Sequence, residues 1–549
     1  MKKATKFLAL AMTAAMATAT VFSATSCAKE ENIIRDGKTV NVRINKSGWS
    51  DEYFTAWCNA FKSIYAEEGY KVNVVEAKPT IQATVVTNEL LQKDKNGIDL
   101  YLAGQIGVDS IVTLSEQEGF TLTEDLTDVM NSPAIDADGN EESVKIVDKL
   151  RAGYVDRYLV NSTASKYQKY NNKWWYMPVG TTTQSFVVNK TLLKNTFGLD
   201  LPLTTGDLLH AFDVINAKYK ETKIKPTVWA GNNAYRYWDS MHCVWYAQYS
   251  GLDQFNKFVD LNVNSVDEMK ALYDEKGFVR SIELMETMLD LDNAVDGTID
   301  FTHDFSQHKL LTGEAVFQPN GAWLETEMGA GYKDAMKDIV MIKMPIVSEL
   351  GVKLGLDGAN GTNAAKCEEV LKVIIAAVDE EKTADTIISE VSTKCGVTVT
   401  ADQVEAVRTA RGIYYGDNGR GGFYVNPYSK MKEVTKLFLR FCASDEAIAY
   451  YRMMTGGTMA YVPEDESVLE SIEISNYAAS VDKLINADKA VGINIASRPA
   501  SKRSMLGLVE FNAGEYGGSE WIKSMANNSS ITAAKLIAAE KDIVAAKLK

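Results

Sequence analysis

The first hundred residues alternate between two spacings of apolar side chains. Residues 40–44 place apolar side chains at every second position, which is typical of a strand, whereas residues 53–64 repeat them at helical spacing. The strand spacing returns over 72–74, the helical spacing over 81–90, and a short apolar run follows over 100–102. This order of strand, helix, strand, helix and strand predicts a parallel, doubly wound α/β lobe.

Two polar or aromatic side chains directly follow strands of this predicted lobe. Ligands of such sheets lie beyond the carboxyl ends of the strands, so Trp49, after the first strand, and Gln105, after the third, are candidate ligand-binding residues. Trp49 also has an alternative role. If Ser50 caps the following helix, Trp49 packs on Phe54 as a hydrophobic staple.

The remainder of the chain carries a second set of strand and helix patterns. We expect an extended segment over 173–178, a polar crossing over 180–183 and a buried strand over 186–188. Further predicted elements are helices over 206–251 and 266–292, strands over 314–323 and 339–344, a charged inserted helical pair over 367–409, and an alanine-rich helix over 532–549. No tandem repeat is present.

The N-terminus has the three parts of a secretory signal. Three lysines precede an apolar stretch over 7–22, and small residues follow it up to Cys27. This pattern predicts a signal peptide over residues 1–26. The alternative is a retained membrane helix, which the stretch is too short and too rich in threonine to favour, since a bilayer-spanning helix needs ~20 strongly apolar residues.

The end of the signal predicts a lipid anchor. Residues 24–27, Ala-Thr-Ser-Cys, resemble the lipobox of bacterial lipoproteins, so Cys27 is the candidate lipid attachment residue and the polar segment 27–38 is the candidate tether. Two or three acyl chains would hold the protein on a membrane, because each buried CH₂ contributes ~0.8 kcal/mol. The alternative is an ordinary cleavage near a cysteine that happens to follow the signal.

Net charge and cysteine content exclude several classes of partner and site. The formal net charge is −15, and removal of the signal peptide would take away three more lysines, so we expect no nucleic-acid partner. The cysteines after Cys27 are widely spaced and odd in number, which excludes a CxxC zinc or redox motif and a complete disulfide framework. Stability must therefore come from burial, for which 549 residues are ample.

The familiar catalytic signatures are missing from the sequence. There is no HExxH, GxSxG, GxGxxG or phosphate-binding glycine loop, and the four histidines have no metal-ligand spacing. Residues 136–142 imitate the start of a calcium loop but lack glycine at the sixth place, which favours an acidic turn. We expect a protein that is not an enzyme, with no catalytic residue, metal or cofactor. A glycosidase acting through two carboxylates remains an alternative, because acidic pairs are abundant.

Four segments, in order, resemble bacterial extracellular solute-binding proteins of the family that includes maltodextrin-binding protein. They are Asp99–Gln105, Trp175–Lys190, Thr312–Trp323 and Ser429–Gly457. The resemblance implies a periplasmic-binding-protein type II fold of two doubly wound α/β lobes with a hinge and an interlobe cleft. It places lobe 1 over 39–180 and 346–460, with the insertion at 367–409, and lobe 2 over 181–345 and 461–549.

The resemblance also implies a function. A monomer on the extracytoplasmic face of the cell membrane would capture a carbohydrate, an oligosaccharide above all, by hinge closure and deliver it to the permease of an ABC importer. Sugars need aromatic platforms for their C–H faces and polar groups for their hydroxyls. A peptide or polyamine ligand on the same fold is the alternative.

Six further candidate ligand-binding residues follow from the matching positions. Trp323 occupies the turn where the family places a ligand-stacking tryptophan, and Asn320 in that turn is either a hydroxyl partner or a turn former. Tyr235 and Trp238 match an aromatic segment that opens a helix, although aromatics at helical spacing also fit a core. The last two are Trp175, favoured over its neighbour because adjacent strand residues face opposite sides, and Thr182, which aligns with an acidic sugar ligand of the family.

Overall fold

The computed structural model of the chain resolves into two compact units. It describes residues 32–46, 51–79, 81–104, 106–160, 165–232, 237–417, 421–487, 489–494, 501–506, 508, 511, 516 and 520–548. Unit 1 comprises 1–181 and 418–474, and unit 2 comprises 182–417 and 475–549. The predicted first boundary at residue 180 lies beside the observed one.

The strands of the described residues fall into two main sheets and a hairpin. They are β1 (Thr39–Asn45), β2 (Lys71–Lys78), β3 (Leu100–Ala103), β4 (Pro133–Ile135), β5 (Glu141–Lys145), β6 (Met177–Pro178), β7 (Gly180–Asn189), β8 (Lys225–Thr227), β9 (Ala315–Gly321), β10 (Ile339–Met341), β11 (Ile413–Asp417), β12 (Gly422–Val425), β13 (Thr458–Met459) and β14 (Val491–Ile493).

The α-helices cover these sheets and build a separate bundle within unit 2. Those of the first half are α1 (Glu52–Ile64), α2 (Ala83–Leu90), α3 (Val108–Glu118), α4 (Thr127–Met130), α5 (Tyr154–Tyr158), α6 (Lys190–Phe197), α7 (Thr205–Ala217), α8 (Tyr219–Thr222), α9 (Tyr237–Ser250), α10 (Leu252–Asp260), α11 (Val266–Tyr273) and α12 (Lys276–Met288). Those of the second half are α13 (His303–Leu311), α14 (Leu324–Met328), α15 (Lys333–Met336), α16 (Glu349–Lys353), α17 (Ala364–Asp379), α18 (Ala384–Cys395), α19 (Ala401–Gly412), α20 (Lys432–Cys442), α21 (Asp445–Thr455), α22 (Ser467–Glu470), α23 (Asn476–Ile485), α24 (Lys502–Met505), α25 (Trp521–Asn527) and α26 (Ala533–Leu548).

Unit 1 is built on a mixed five-stranded sheet. Its strand order is β2-β1-β3-β12-β6, with β1 parallel to β2 and β3, and β12 antiparallel to β3 and β6. The predicted opening of alternating strands and helices is therefore confirmed. Strand β12, which comes more than three hundred residues after β3, lies inside the sheet rather than at its edge.

Aromatic side chains of α1 form the core of unit 1. Trp57 is fully buried, and its indole N–H donates to the carbonyl of Ala447 in α21 at 3.0 Å. Its ring also lies edge-on to Tyr53 with the centroids 4.8 Å apart. The helical spacing seen in the sequence over 53–64 thus faces the interior, as an amphipathic helix requires.

Unit 2 is built on a second mixed sheet whose central strand is β7. The order is β14-β11-β7-β9-β8, and β10 pairs with the second half of β7. Strand β7 runs antiparallel to β9, β10 and β11. The residues expected to form a polar crossing, 180–183, are part of β7 itself, so the chain passes from unit 1 to unit 2 within a continuous strand.

The core of unit 2 surrounds helix α9. Ten consecutive positions from Ser240 to Tyr249 are buried, so this helix has no solvent-facing side over that stretch. The indole N–H of Trp245 donates to the carbonyl of Pro345 at 3.1 Å, which satisfies the buried polar end of that ring. A helix that is buried all round is central to its domain.

The inserted segment differs from its prediction in two respects. It contains three helices, α17 to α19, because Thr383 and Thr400 each cap a new helix start with their hydroxyls. It also belongs to unit 2, whereas the sequence assigned 346–460 to lobe 1. The three helices enclose an apolar cluster of their own, which extends to Ile346 and Leu350 in the segment that follows β10.

Arg411 fixes the three-helix bundle to the sheet of unit 2. Its side chain is 6% exposed and binds the Asp379 carboxylate with two nitrogens, the shorter contact being 2.7 Å. A third nitrogen donates to the carbonyl of Met344 at 2.9 Å, just beyond β10. Burial raises the pKa of Asp379, but the charges of Arg411 and Lys343 outweigh it and hold that pKa below its usual value.

We expect Arg411→Met to lower the free energy of unfolding by about 2–3 kcal/mol, since it leaves a mostly buried carboxylate without its main partner. Urea unfolding followed by circular dichroism measures the loss. The double variant Asp379→Leu/Arg411→Met should recover at least half of it, because it removes the charge left behind. Equal stability of the single and double variants would contradict the assignment.

His242 is a neutral base enclosed in the core of unit 2. It is 1% exposed, and its ring is surrounded by Phe278, Phe511 and Trp521 with centroids 5.9 to 6.4 Å away. Burial lowers the pKa of His242 to about 3, because no described residue beside the ring compensates for a positive charge.

The free energy of unfolding should therefore fall as the pH drops from about 6.5 to about 3. In this interval the unfolded His242 binds a proton that the folded one excludes, which costs up to about 1.4 kcal/mol per pH unit. The variant His242→Phe removes this contribution, so its unfolding free energy should depend less steeply on pH. Urea unfolding between pH 4 and 7 tests this, and identical slopes for the two proteins would refute it.

Candidate binding site

Ligands of open α/β sheets lie beyond the carboxyl ends of the parallel strands. In unit 1 this edge, called the ligand edge below, lies where β3 ends and β12 begins. Here Gly421 has a φ of +74° and approaches the chain so closely that a Cβ atom would lie 1.7 Å from the carbonyl oxygen of Ala103. The next residue, Gly422, leaves room for the ring of Tyr176, which a Cβ would meet at 2.5 Å. Glycine is required at both positions because backbone and ring occupy the space of a side chain.

Tyrosine side chains collect at this edge. Their rings belong to four separate segments and are all at least 96% buried: Tyr154, Tyr158, Tyr176, Tyr424 and Tyr461. The ring of Tyr176 is 5.1 Å from that of Tyr158 and 5.1 Å from that of Tyr424. The Tyr424 hydroxyl accepts a hydrogen bond from the backbone N–H of Ile106 at 2.6 Å, directly after β3.

Two of these tyrosines carry buried hydroxyls with unused hydrogen-bonding capacity. Among the described residues, neither Tyr158 nor Tyr461 has a hydrogen-bond partner for its hydroxyl. Such groups are costly to leave unpaired, so each has capacity for one more polar partner, whether water or ligand. The sequence alone does not reveal this cluster, because no spacing signal connects segments that are hundreds of residues apart.

The predicted ligand-binding residue Trp175 is buried in unit 1. Its ring is 3% exposed and lies edge-on to Tyr170 with the centroids 5.5 Å apart. Its indole N–H donates to the Tyr170 carbonyl at 3.1 Å. The neighbouring Trp174 is equally buried, at 2% exposed.

The ligand edge of unit 2 is formed by the start of β7, the end of β9 and the end of β11. Thr182 and Thr183 pair with Asp417 and Gly416 of β11, and Gln184 pairs with Gly321 of β9. This edge of the sheet therefore presents a threonine-rich strand beside the turn after β9.

The threonine hydroxyls at this edge are buried and unpaired. Thr182 is 2% exposed and Thr183 is fully buried, yet neither hydroxyl has a partner among the described residues. The same holds for Thr181, the last residue of β7 in unit 1. Three consecutive hydroxyls of this kind provide uncharged donors and acceptors where the chain passes between units.

The turn after β9 is held by a chain of amide hydrogen bonds. Asn320 is 1% exposed; its amide nitrogen donates to Gln318 at 3.1 Å, and its amide oxygen accepts from the backbone N–H of Gly321 at 2.7 Å. Gln318 donates in turn to the Ser306 hydroxyl at 2.8 Å. The amide of Asn320 therefore serves as a turn former, the alternative that the sequence left open.

Trp323 is the half-buried aromatic residue of this turn. Its ring lies directly over Gly321, where an added Cβ would meet ring atoms at 2.2 Å, and 5.7 Å from the ring of Tyr237. The Tyr477 hydroxyl donates to the carbonyl of Gly321 at 3.0 Å and holds the turn from the other side. Trp323 thus keeps an accessible ring surface on a rigid support.

Acidic groups near this turn are already engaged. Burial raises the pKa of Glu327, and its carboxylate accepts a hydrogen bond from Gln307 at 2.7 Å. Glu325 accepts from the Ser475 hydroxyl at 2.6 Å. Each of these carboxylates therefore uses one acceptor site on a neutral donor within unit 2.

The remaining candidates divide into one core residue and three undescribed positions. Trp238 is fully buried, with its ring 5.7 Å from Phe186, because all of α9 after its first turn packs into the core; the core alternative accounts for this environment. Trp49, Gln105 and Tyr235 lie outside the described residues, as does the lipid attachment candidate Cys27.

The described residues contain no group of three or more metal-ligating side chains. Cys58, Cys243, Cys367, Cys395 and Cys442 are free thiols. Burial raises the pKa of the Cys243 and Cys442 thiols well above the usual value, which suppresses the reactive thiolate. No helix in the described part of the chain combines the length and the apolar character needed to cross a bilayer.

Solved structures with a similar fold are sugar- and solute-binding proteins. A family 1 extracellular solute-binding protein from Bifidobacterium longum subsp. infantis aligns over 92% of this chain and 99% of its own, with 11% identity and a TM-score of 0.51. A chitin oligosaccharide binding protein aligns over 93% and 99%, with 12% identity and a TM-score of 0.54. RafE from Streptococcus pneumoniae, in complex with raffinose, aligns over 92% and 99%, with 11% identity and a TM-score of 0.52.

Sequence comparison adds nothing to these likenesses. No protein-family model and no curated protein matches the chain. At 11 to 12% identity the solved structures establish the fold alone. They confirm the predicted fold class: the chain has the two-lobed α/β fold of extracellular solute-binding proteins.

The contact between Gly321 and Trp323 yields a direct test of the turn. Gly321→Ala places a methyl group in the space of the indole and should displace the ring, which shifts the tryptophan fluorescence maximum relative to the parent protein. The shift should vanish in the Gly321→Ala/Trp323→Phe background. Gly331→Ala, where the added carbon meets only a carbonyl oxygen at 3.8 Å, is the matched control. An unchanged spectrum for Gly321→Ala would contradict the described turn.

Proposed function

We propose that the chain is an extracytoplasmic solute-binding protein that captures a carbohydrate, in particular an oligosaccharide, and releases it chemically unchanged. The observation that carries the proposal is the part-exposed ring of Trp323, which lies beside Tyr237 and over a turn held by the Asn320 amide and the Tyr477 hydroxyl. Sugars combine flat C–H faces with rings of hydroxyls, so an aromatic platform among neutral polar groups suits them.

The ligand edges of both units support a neutral ligand. Within the described part of the chain, the hydroxyls of Tyr158 and Tyr461 in unit 1 and of Thr182 and Thr183 in unit 2 have no hydrogen-bond partner. The acidic side chains beside Trp323 are bound to Ser475 and Gln307. These neutral hydroxyls suit a sugar, whereas a polyamine or a basic peptide would have to pair with the carboxylates of Glu325 and Glu327.

The binding proteins of similar fold extend the proposal to transport. RafE binds raffinose and another relative binds chitin oligosaccharides, so we infer delivery of a sugar to the permease of an ABC importer for this chain too. The signal peptide over 1–26 and the lipid on Cys27 would keep the protein at the outer face of the cell membrane. The proposed function requires no cofactor.

The contribution of Trp323 is measurable by calorimetry. Trp323→Ala removes a half-buried ring whose contact with sugar is worth about 2–3 kcal/mol, so the Kd for the best ligand among raffinose, chitin oligosaccharides and related neutral glycans should rise about 30- to 150-fold. Phe305→Ala, which removes an exposed aromatic ring elsewhere on unit 2, should leave that Kd unchanged.

Two results would overturn the proposal. Release of shorter sugars from an incubated glycan would establish a glycosidase, and saturable binding of peptides or polyamines without binding of any glycan would establish a different solute. Mass spectrometry of the mature N-terminus tests the anchor independently, since a start other than a lipid-modified Cys27 excludes it.

A further inference from the structure

A groove of about 610 Å³ opens on unit 2 beside the three-helix bundle. Its walls are the loop before α7, strand β10, the ends of α17 and α19, and helix α23. It contains neither Trp323 nor the start of β7. Its volume falls within the range of small-molecule sites, about 300–1,000 Å³.

The floor of the groove is apolar. Leu203, Met341, Ile342 and Leu484 line it, and Leu201 at its side is 40% exposed. At the edge of β10 the Met341 N–H already donates to the Ser480 hydroxyl at 2.9 Å, so it is not available to an added strand. The apolar floor suits an occupant that offers hydrocarbon surface.

The rim of the groove carries one more cation than it has carboxylates, in a chain whose formal net charge is −15. Four cationic side chains line it, Lys343, Arg408, Arg411 and Lys483, against the three carboxylates of Asp379, Glu381 and Asp482. Asp379 is neutralised by Arg411 and Lys343 at 2.7 and 2.9 Å. Lys483 is exposed and forms no ion pair within the described residues, so its charge is available to an anion.

We propose that this groove is a second binding site, which takes a small amphipathic carboxylate with its hydrocarbon body on the apolar floor and its anionic head at Lys483. The apolar floor supplies most of the affinity, because burial of hydrocarbon contributes about 25 cal/mol per Å². The cationic rim selects an anion over a neutral molecule of the same shape.

Two elements of the groove continue to the candidate sugar site. Helix α23 lines the groove with Leu484, and near its other end Tyr477 holds the Gly321 carbonyl in the turn of Trp323. Helix α19 lines it with Arg411 and leads directly into β11, which pairs with Thr182. An occupant that shifts α23 or α19 would therefore change sugar affinity, a consequence that rests on the proposed function.

Octanoate is the probe for the site itself, and it is titrated calorimetrically into the full mature protein without sugar. We expect one equivalent to bind, 1-octanol to bind at least tenfold more weakly, and Lys483→Glu to weaken octanoate at least fivefold. Lys333→Glu, which reverses an exposed lysine elsewhere on unit 2, should change the affinity less than twofold. Ala487→Trp, which fills the groove, should abolish binding while circular dichroism confirms folding.

The result that overturns the site is no binding of octanoate, or binding that octanol equals or that Lys483→Glu leaves unchanged. Coupling is tested separately by titrating the best sugar with and without saturating octanoate, where we expect at least a threefold change in Kd. An unchanged sugar Kd overturns the coupling and leaves the groove intact. Absence of any sugar binding would instead overturn the proposed function, because the octanoate titration contains no sugar.

Discussion

Both units depend on the hydrogen bonds that the backbone of the buried strand β7 must form. Nine of the ten residues of β7 are buried, so their backbone groups must find partners on both sides. Through Thr181 the partner is β13 of unit 1, and from Thr182 onward the partners are β9, β10 and β11 of unit 2. The change of partner sets the unit boundary at a single peptide bond.

The same constraint positions the polar groups of unit 2. Because β7 is central, its first residues, the end of β9 and the end of β11 share one edge of the sheet. The rigid backbone then fixes the turn of Trp323 through Gly321, the amide of Asn320 and the Tyr477 hydroxyl. A side chain on such a support loses little freedom on binding a ligand, which favours affinity.

Local patterns in the sequence predicted the elements, and contacts between distant segments decided the rest. The spacing of apolar residues over 40–44 and 53–64 correctly predicted β1 and α1. The insertion has a third helix that the apolar spacing did not reveal, because Thr383 and Thr400 each cap a new helix start. Residues 346–417 belong to unit 2 because of tertiary contacts such as the hydrogen bond from Arg411 to Met344. No local sequence pattern predicts contacts of this kind.

Residues of the candidate site could be predicted from the sequence where a local turn places them. They could not be predicted where contacts between distant segments place them. Trp323 was proposed from the resemblance of its turn, and in the structure it is part-exposed in that turn. Trp238 shares an aromatic segment with Tyr237, but complete burial of the helix turns it inward. The tyrosines near Gly422 come from four segments that only the folded sheet brings together.

The discontinuity of both units has a consequence for synthesis. Strand β12 completes the sheet of unit 1, and the buried Glu540 of α26 accepts a hydrogen bond from Tyr273 in unit 2. At about 5–20 residues per second the early aromatic segments of unit 1 wait tens of seconds for β12 to be synthesised. Unit 1 can therefore close before unit 2, whose interior waits for the last helix of the chain.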